Sequence, residues 1–210
     1  MKYWNSTRHV LLAMVLAVTA QAADVAGHYV LHNVMEVGSE LLLKPDGTFE
    51  FALAYGAADY YAKGVWRAEG GAVILNTSGK DEPPFRFTRS AASKSPGTRV
   101  WVLAPNGEPA PQIEVALKTV AGYSEATTSD DGKAEFPDKN GATSAFLRIS
   151  VYQIQAGPFA LNPAHNDFYF EINGDAITRV PFKDERLVIE GTTLVMRHFG
   201  ADHPMRYEKQ

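Results

Sequence analysis

Several groups of side chains in this 210-residue chain have atoms suited to chemistry, and their spacing decides what each can do. Asp130 and Asp131 stand before Gly132, an arrangement that suggests a calcium loop, a catalytic carboxylate pair or a turn. An EF-hand loop needs alternating oxygen ligands, a glycine at its sixth position and a glutamate at its twelfth. Counted from Asp130 or Asp131, no glycine falls sixth. Aspartate and glycine are also the residues that tolerate the left-handed backbone of a turn between strands, and the segment reads as a turn. His28 and His32 would share a face of a strand, but four residues of extended chain put them about 13 Å apart, too far for one ion. Met196, His198, His203 and Met205 form a softer set that could suit copper, although Pro204 and the intervening loop residues break its geometry. No metal site is expected.

For nucleophilic catalysis there is no cysteine and no G-x-S-x-G turn, so the nucleophile-and-base arrangement has no anchor. The acid pairs Glu36 with Glu40 and Asp184 with Glu185 carry no hypothesis without a pocket around them. Helix-bound zinc motifs and glycine-rich phosphate loops are absent, and no cofactor is expected. The most suggestive stretch is Tyr55 to Trp66, where Tyr55, Tyr60, Tyr61 and Trp66 surround Asp59 and Lys63. Aromatic faces with a few polar groups commonly hold a sugar or another flat ligand. Asp59, Tyr60, Tyr61 and Lys63 are therefore the candidate ligand-binding residues. The plainer alternative makes Tyr55 and Trp66 core and sends one of Tyr60 and Tyr61 inward and the other outward.

Strands must position these groups, because short alternating runs separated by glycine, proline, asparagine and aspartate fill the chain after its first residues. Phe49, Phe51, Leu53 and Tyr55 alternate onto one face after a turn at Pro45-Asp46-Gly47, with Glu50, Ala52 and Ala54 on the other. Gly70-Gly71 repeats the device. The expected organisation is a first β series over 23–89, a polar linker over 90–97, a Greek-key sandwich over 98–155, a second linker over 156–166 and a C-terminal series over 167–210. A few strands at each end do not close a sheet, and open edges invite aggregation. The two end series are therefore expected to pair, with the middle module inserted between them.

The segment RVWVLAPNGEPAPQIEVALKT, followed by TTSDDGKAEFP, resembles the transthyretin-like sandwich of carboxypeptidase regulatory-like modules. Val100, Val102, Asn106, Gly107, Pro109, Ile113, Val115, Leu117, Thr128, Asp131, Gly132 and Phe136 carry the likeness. It departs at Gln112, where such modules often have a small residue. The resemblance implies a folding, spacing or binding appendage that brings no catalytic residues of its own. The stretch LLLKPDGTFEFALAYGAADYYAKGVW is more loosely similar to small exported lipocalin-like domains. The expected fold is all-β: a lipocalin-like barrel or sandwich formed by the N- and C-terminal series, with an inserted transthyretin-like Greek-key sandwich.

Lys2 and Arg8 precede an apolar run from Val10 to Val18 and then Ala20-Gln21-Ala22, the pattern of a secretory signal cleaved after Ala22. The run is shorter than the roughly 20 apolar residues of a span, and no second apolar stretch is long enough, so no integral membrane span is expected after cleavage. Removing 1–22 takes away Lys2 and Arg8 and no acid, which moves the formal charge from −4 to −6. A mildly acidic chain without a basic stripe argues against nucleic acid as a partner. The absence of cysteine leaves the core alone to hold the exported protein. The expected function is that of a non-catalytic binding or adaptor protein of the cell envelope, periplasmic or secreted, with an envelope protein, a glycan or a small apolar ligand as partner. The alternative is a carrier with Phe49, Phe51, Leu53, Phe168, Phe170, Val188 and Leu194 lining a barrel cavity. An envelope hydrolase is a third reading and rests only on unplaced carboxylates.

Overall fold

A computed structural model describes residues 24–138, 141–199 and 202–210. The signal sequence expected over 1–22 lies outside the described residues. The chain divides into two compact units, one formed by the described residues up to Lys80 together with Arg179–Gln210, the other by Asp81–Thr178.

The first unit is a closed barrel. Its strands are β1 (Gly27–Leu31), β2 (Val37–Leu43), β3 (Thr48–Tyr55), β4 (Ala58–Glu69) and β5 (Ala72–Thr77), then β14 (Glu185–Glu190), β15 (Thr193–Met196) and β16 (Met205–Lys209). Around the barrel the order is β1, β16, β15, β14, β5, β4, β3, β2, and β1 closes it by pairing with both β2 and β16. Closure leaves no free edge, which removes the aggregation hazard of an open sheet. The β2–β3 turn forms because Asp46 Oδ1 accepts hydrogen bonds from the Thr48 backbone N–H at 2.9 Å and its hydroxyl at 2.6 Å.

Strand alternation fills the interior. Phe49, Phe51 and Leu53 point inward and face Gly64, Ala62 and Tyr60 across the β3–β4 ladder, while Leu41, Leu43, Leu75, Leu187, Leu194 and Tyr207 complete the core. Phe182 packs edge-on against Phe51 with ring centroids 5.2 Å apart. Gly64 is where two strands and a ring converge, since a Cβ there would lie 2.0 Å from the Asn76 carbonyl oxygen and 2.9 Å from the Phe49 ring. The few interior polar groups are paired: Ser39 Oγ donates to the Ala52 carbonyl at 2.7 Å and lies 2.8 Å from the Tyr207 hydroxyl. Because the single Ser39 proton is used on Ala52, Tyr207 donates in that second bond. Burial pushes the Tyr207 phenol up to about 12.

The second unit is a sandwich of two four-stranded sheets. One has the order β10 (Lys133–Phe136), β7 (Thr98–Leu103), β13 (Asp167–Ile172), β6 (Phe85–Ala91). The other has the order β12 (Ile154–Ala160), β11 (Ser144–Ile149), β8 (Glu114–Thr119), β9 (Gly122–Thr127). A short helix, α1 (Gly174–Thr178), follows β13. Val100, Val102, Phe168 and Phe170 from the first sheet and Val115, Leu117, Ala145 and Leu147 from the second form one core. Gln112, just before β8, takes a left-handed backbone with φ of 61°.

The unit boundaries differ from those expected. They fall after Lys80 and after Thr178, so β6 and β13 belong to the sandwich rather than to the first and C-terminal series. The cause is the insertion of β13 between β7 and β6, parallel to β7 and antiparallel to β6, which buries Phe168 and Phe170. The polar stretch 90–97 is not a free linker. Asn166 Oδ1 accepts from the Ser93 N–H at 2.8 Å, and Asn166 Nδ2 donates to the Gly97 carbonyl at 2.8 Å. The expected linker at 156–166 begins inside a strand, because β12 runs to Ala160.

Candidate functional site

The four candidate residues lie on β4, and alternation divides them. Tyr60 is opposite Leu53 and packs against the barrel core, whereas Asp59, Tyr61 and Lys63 point outward. Outward rungs across neighbouring strands complete the surface. One rung runs Gly38, Ala54, Asp59; the next Glu40, Ala52, Tyr61; the third His28, Leu42, Glu50, Lys63. Small residues at Gly38, Ala52 and Ala54 leave two adjoining grooves of about 430 and 600 Å³, which share Glu40 and Ala52. The strand beneath is anchored where the Tyr61 carbonyl accepts the Val180 N–H at 2.8 Å. Of the expected aromatic group, Trp66 is buried and donates from Nε1 to the Lys44 carbonyl at 2.9 Å, while Tyr55 is exposed at the strand end.

Charges on this face are unevenly matched. His28 Nε2 lies 3.0 Å from Glu40 Oε2, and Lys44 Nζ donates to Glu50 Oε1 at 2.6 Å. The Lys44 hydrogen bond, reinforced by the charges of Lys44 and Lys63, holds the Glu50 carboxyl below the usual range. The exposed Asp59 and Lys63 side chains have no ion pair or hydrogen-bond partner among the described residues. Four residues apart on one strand face, they are separated by about 13 Å. That makes a surface with the Asp59 carboxylate at one end, Lys63 beside Glu50 at the other, and Ala52, Tyr61 and the Glu40 carboxylate between them.

The other candidates do not come together as reactive sites. Around Gly132 the chain makes a turn: φ is 73°, the Gly132 N–H donates to Ser129 O, and Asp131 Oδ1 accepts from Ser129 Oγ at 2.7 Å. A Cβ at Gly132 would meet the Val102 carbonyl oxygen at 2.6 Å, so close packing adds to the backbone requirement. Met196 and Met205 are paired across β15 and β16 and buried in the barrel, whereas His203 is exposed. His198 Nδ1 lies 3.0 Å from Glu185 Oε2, and its ring stands edge-on to Phe182. Asp184, next to Glu185, instead accepts from Asn76 and Arg67, so this acid pair is split. Among the described residues no three histidine, aspartate or glutamate side chains cluster in a way that could hold a metal.

The barrel interior is filled rather than hollow at the positions of the carrier reading. Phe49, Phe51, Leu53 and Leu194 are buried in one packed cluster, Phe168 and Phe170 belong to the sandwich, and Val188 faces outward. A constellation not anticipated from the sequence crosses the first sandwich sheet. The Trp101 and Tyr169 rings are parallel within 6° at 6.2 Å, with Arg89 over Tyr169 at 3.4 Å and Lys133 over Trp101 at 5.4 Å. Its members come from four strands, of which β10 and β13 lie far along the chain from β6 and β7, so only the sheet order could have revealed it. No helix among the described residues is long and apolar enough to cross a membrane. Compared with protein-family models, curated proteins and solved structures, the chain has no match.

Proposed function

We propose that this chain is an exported, non-catalytic binding protein of the cell envelope that engages a protein partner on the outer face of β1–β4. The observation that carries the reading is the pair of grooves floored by Gly38, Ala52 and Ala54 and flanked by Asp59 and Lys63. A polypeptide segment presenting a basic and an acidic side chain at a matching separation fits such a face, since complementary charges steer and orient encounter. Tyr61 supplies a ring that contributes contact area at small conformational cost. The signal-like N-terminus supports export, and the packed barrel interior favours recognition from outside. The likeness of 98–155 to transthyretin-like modules, which serve as spacing or binding appendages, agrees with a non-catalytic role.

Native mass spectrometry of the mature protein recovered from its host's envelope fraction tests this. The expected result is a complex with a second polypeptide that is lost in the Asp59→Ala, Tyr61→Ala, Lys63→Ala triple variant. A complex equally abundant in that variant places the contact elsewhere and overturns the site. Tyr60 stays unchanged in this experiment, because it packs on the core.

A further inference from the structure

The outer face of the second sandwich sheet carries a groove whose make-up differs from that of the barrel surface. Outward positions there form three rungs: Tyr123 with Lys118; Glu125, Ala116 and Phe146; and Thr127, Glu114, Arg148 and Gln155. Ala116 is the smallest residue at the centre of the face, and the hollow above it measures about 440 Å³, within the roughly 300–1,000 Å³ of small-molecule sites. At one end the Tyr123 and Phe146 rings meet at 6.1 Å and 53°. Tyr123 is 63% exposed, so its ring face is open on this side of the sheet.

The polar end is partly satisfied internally, and what is left over defines a ligand. Glu114 accepts from Arg148 Nε at 2.7 Å, from Arg148 Nη2 and from the Ser150 hydroxyl, so its carboxylate is occupied. Those bonds, Ser150 first and Arg148 second, hold the Glu114 carboxyl below its usual range and keep it ionised against the guanidinium. Arg148 retains its Nη1 donors. Glu125 and Gln155 make no side-chain hydrogen bond to a described residue. The groove therefore offers unused donors on Arg148 and Gln155, unused acceptors on Glu125 and Gln155, and an aromatic face beside them.

Four charged side chains stand on this face, Glu114, Lys118, Glu125 and Arg148, and they sum to zero. A phosphate or polyanion would need surplus cations, and a polycation surplus acids. A lipid tail would need an apolar lining throughout, whereas half of this one is polar. A pyranose ring meets all three conditions: it is neutral, its hydroxyls both donate and accept, and its C–H face stacks on an aromatic ring. We propose that the groove over Ala116 is a glycan-binding site, with Tyr123 and Phe146 as the stacking wall and Glu125, Arg148 and Gln155 as the hydroxyl partners. The site is separate from the barrel face and does not depend on what binds there.

Isothermal titration of the full mature chain with chito-, cello- and malto-oligosaccharides is the test, with tetramethylammonium as the cationic control. At least one oligosaccharide series is expected to bind saturably. Tyr123→Ala should weaken that binding roughly tenfold, Gln155→Ala should weaken it by a smaller factor, and the barrel triple variant should leave it unchanged. Because Tyr123 is largely exposed, its variant is expected to keep the parent melting temperature, which is checked in the same preparation. Three outcomes would overturn the assignment: no binding of any series at millimolar concentration, binding indifferent to Tyr123→Ala, or binding of tetramethylammonium alone.

Discussion

The two outer faces of the sandwich each carry an aromatic pair, and the pairs are in opposite states. Across β6, β13, β7 and β10, the Tyr169 and Trp101 rings are stacked parallel and their outer faces are covered by Arg89 and Lys133. Across β9, β8 and β11, Tyr123 and Phe146 are tilted, and the floor beside them is alanine. The first arrangement spends its ring faces on neighbouring strands, and the second leaves the Tyr123 ring to solvent with Phe146 half-buried beside it. Exposed aromatic residues on a sheet thus have no fixed meaning. What decides between brace and binding surface is whether the adjacent rung positions hold cations that cap the rings or small residues that leave room.

Removing the core that the two sheets share should undo both faces at once. Phe170 is 2% exposed and contacts both Phe87 and Phe159, so Phe170→Ala should cost about 3–5 kcal/mol. Denaturant unfolding would measure it, and both faces should lose their organisation together. A smaller effect separates the faces. Trp101→Ala removes the stack with Tyr169 and the cation contact from Lys133, at a cost of about 2 kcal/mol. A melting temperature indistinguishable from that of the parent would show that the ladder does not brace the sheet.

The third effect is pH-dependent. Glu114 has its folded-state pKa lowered from 4.5 by Ser150 and then Arg148, so its contribution is complete above the unfolded value and is lost as pH falls through the folded one. The stability gap between the parent and Glu114→Gln should therefore be constant near neutrality and close progressively below about pH 4.5. Parallel pH titrations of unfolding would show it, and a gap that widened in acid would contradict the assigned contacts. The smallest effect is expected for Tyr123→Ala, under about 0.5 kcal/mol. Set beside Trp101→Ala, it sharpens the contrast: one ring holds the sheet and the other is free to hold something else.

Local pattern carried the reading of the fold a long way where neighbours in sequence are neighbours in space. The alternation of Phe49, Phe51 and Leu53 and the turns at Asp46-Gly47 and Asp131-Gly132 are set within a few residues and appear in the structure as read. The placement of β6 and β13 was not legible, because β13 pairs in parallel with a strand more than sixty positions away and leaves no turn between them. Residues 90–97 look like a linker because serines satisfied by Asn166 have the same composition as serines satisfied by water. At the candidate site, alternation alone separates Tyr60 from Asp59, Tyr61 and Lys63. The groove beside them depends on Gly38, Ala52 and Ala54 from two other strands, so no stretch of β4 could announce it.

If the outer face of β1–β4 is where this protein meets its proposed partner, position-specific photo-crosslinking in the host will capture that partner there. A crosslinker at Ala52 lies on the groove floor, and one at Val188 stands on the outer face of β14, which contributes no residue to the groove. A discrete covalent product from Ala52 and none from Val188 is the predicted result. Products of equal yield from both positions, or none from Ala52, would contradict the claim.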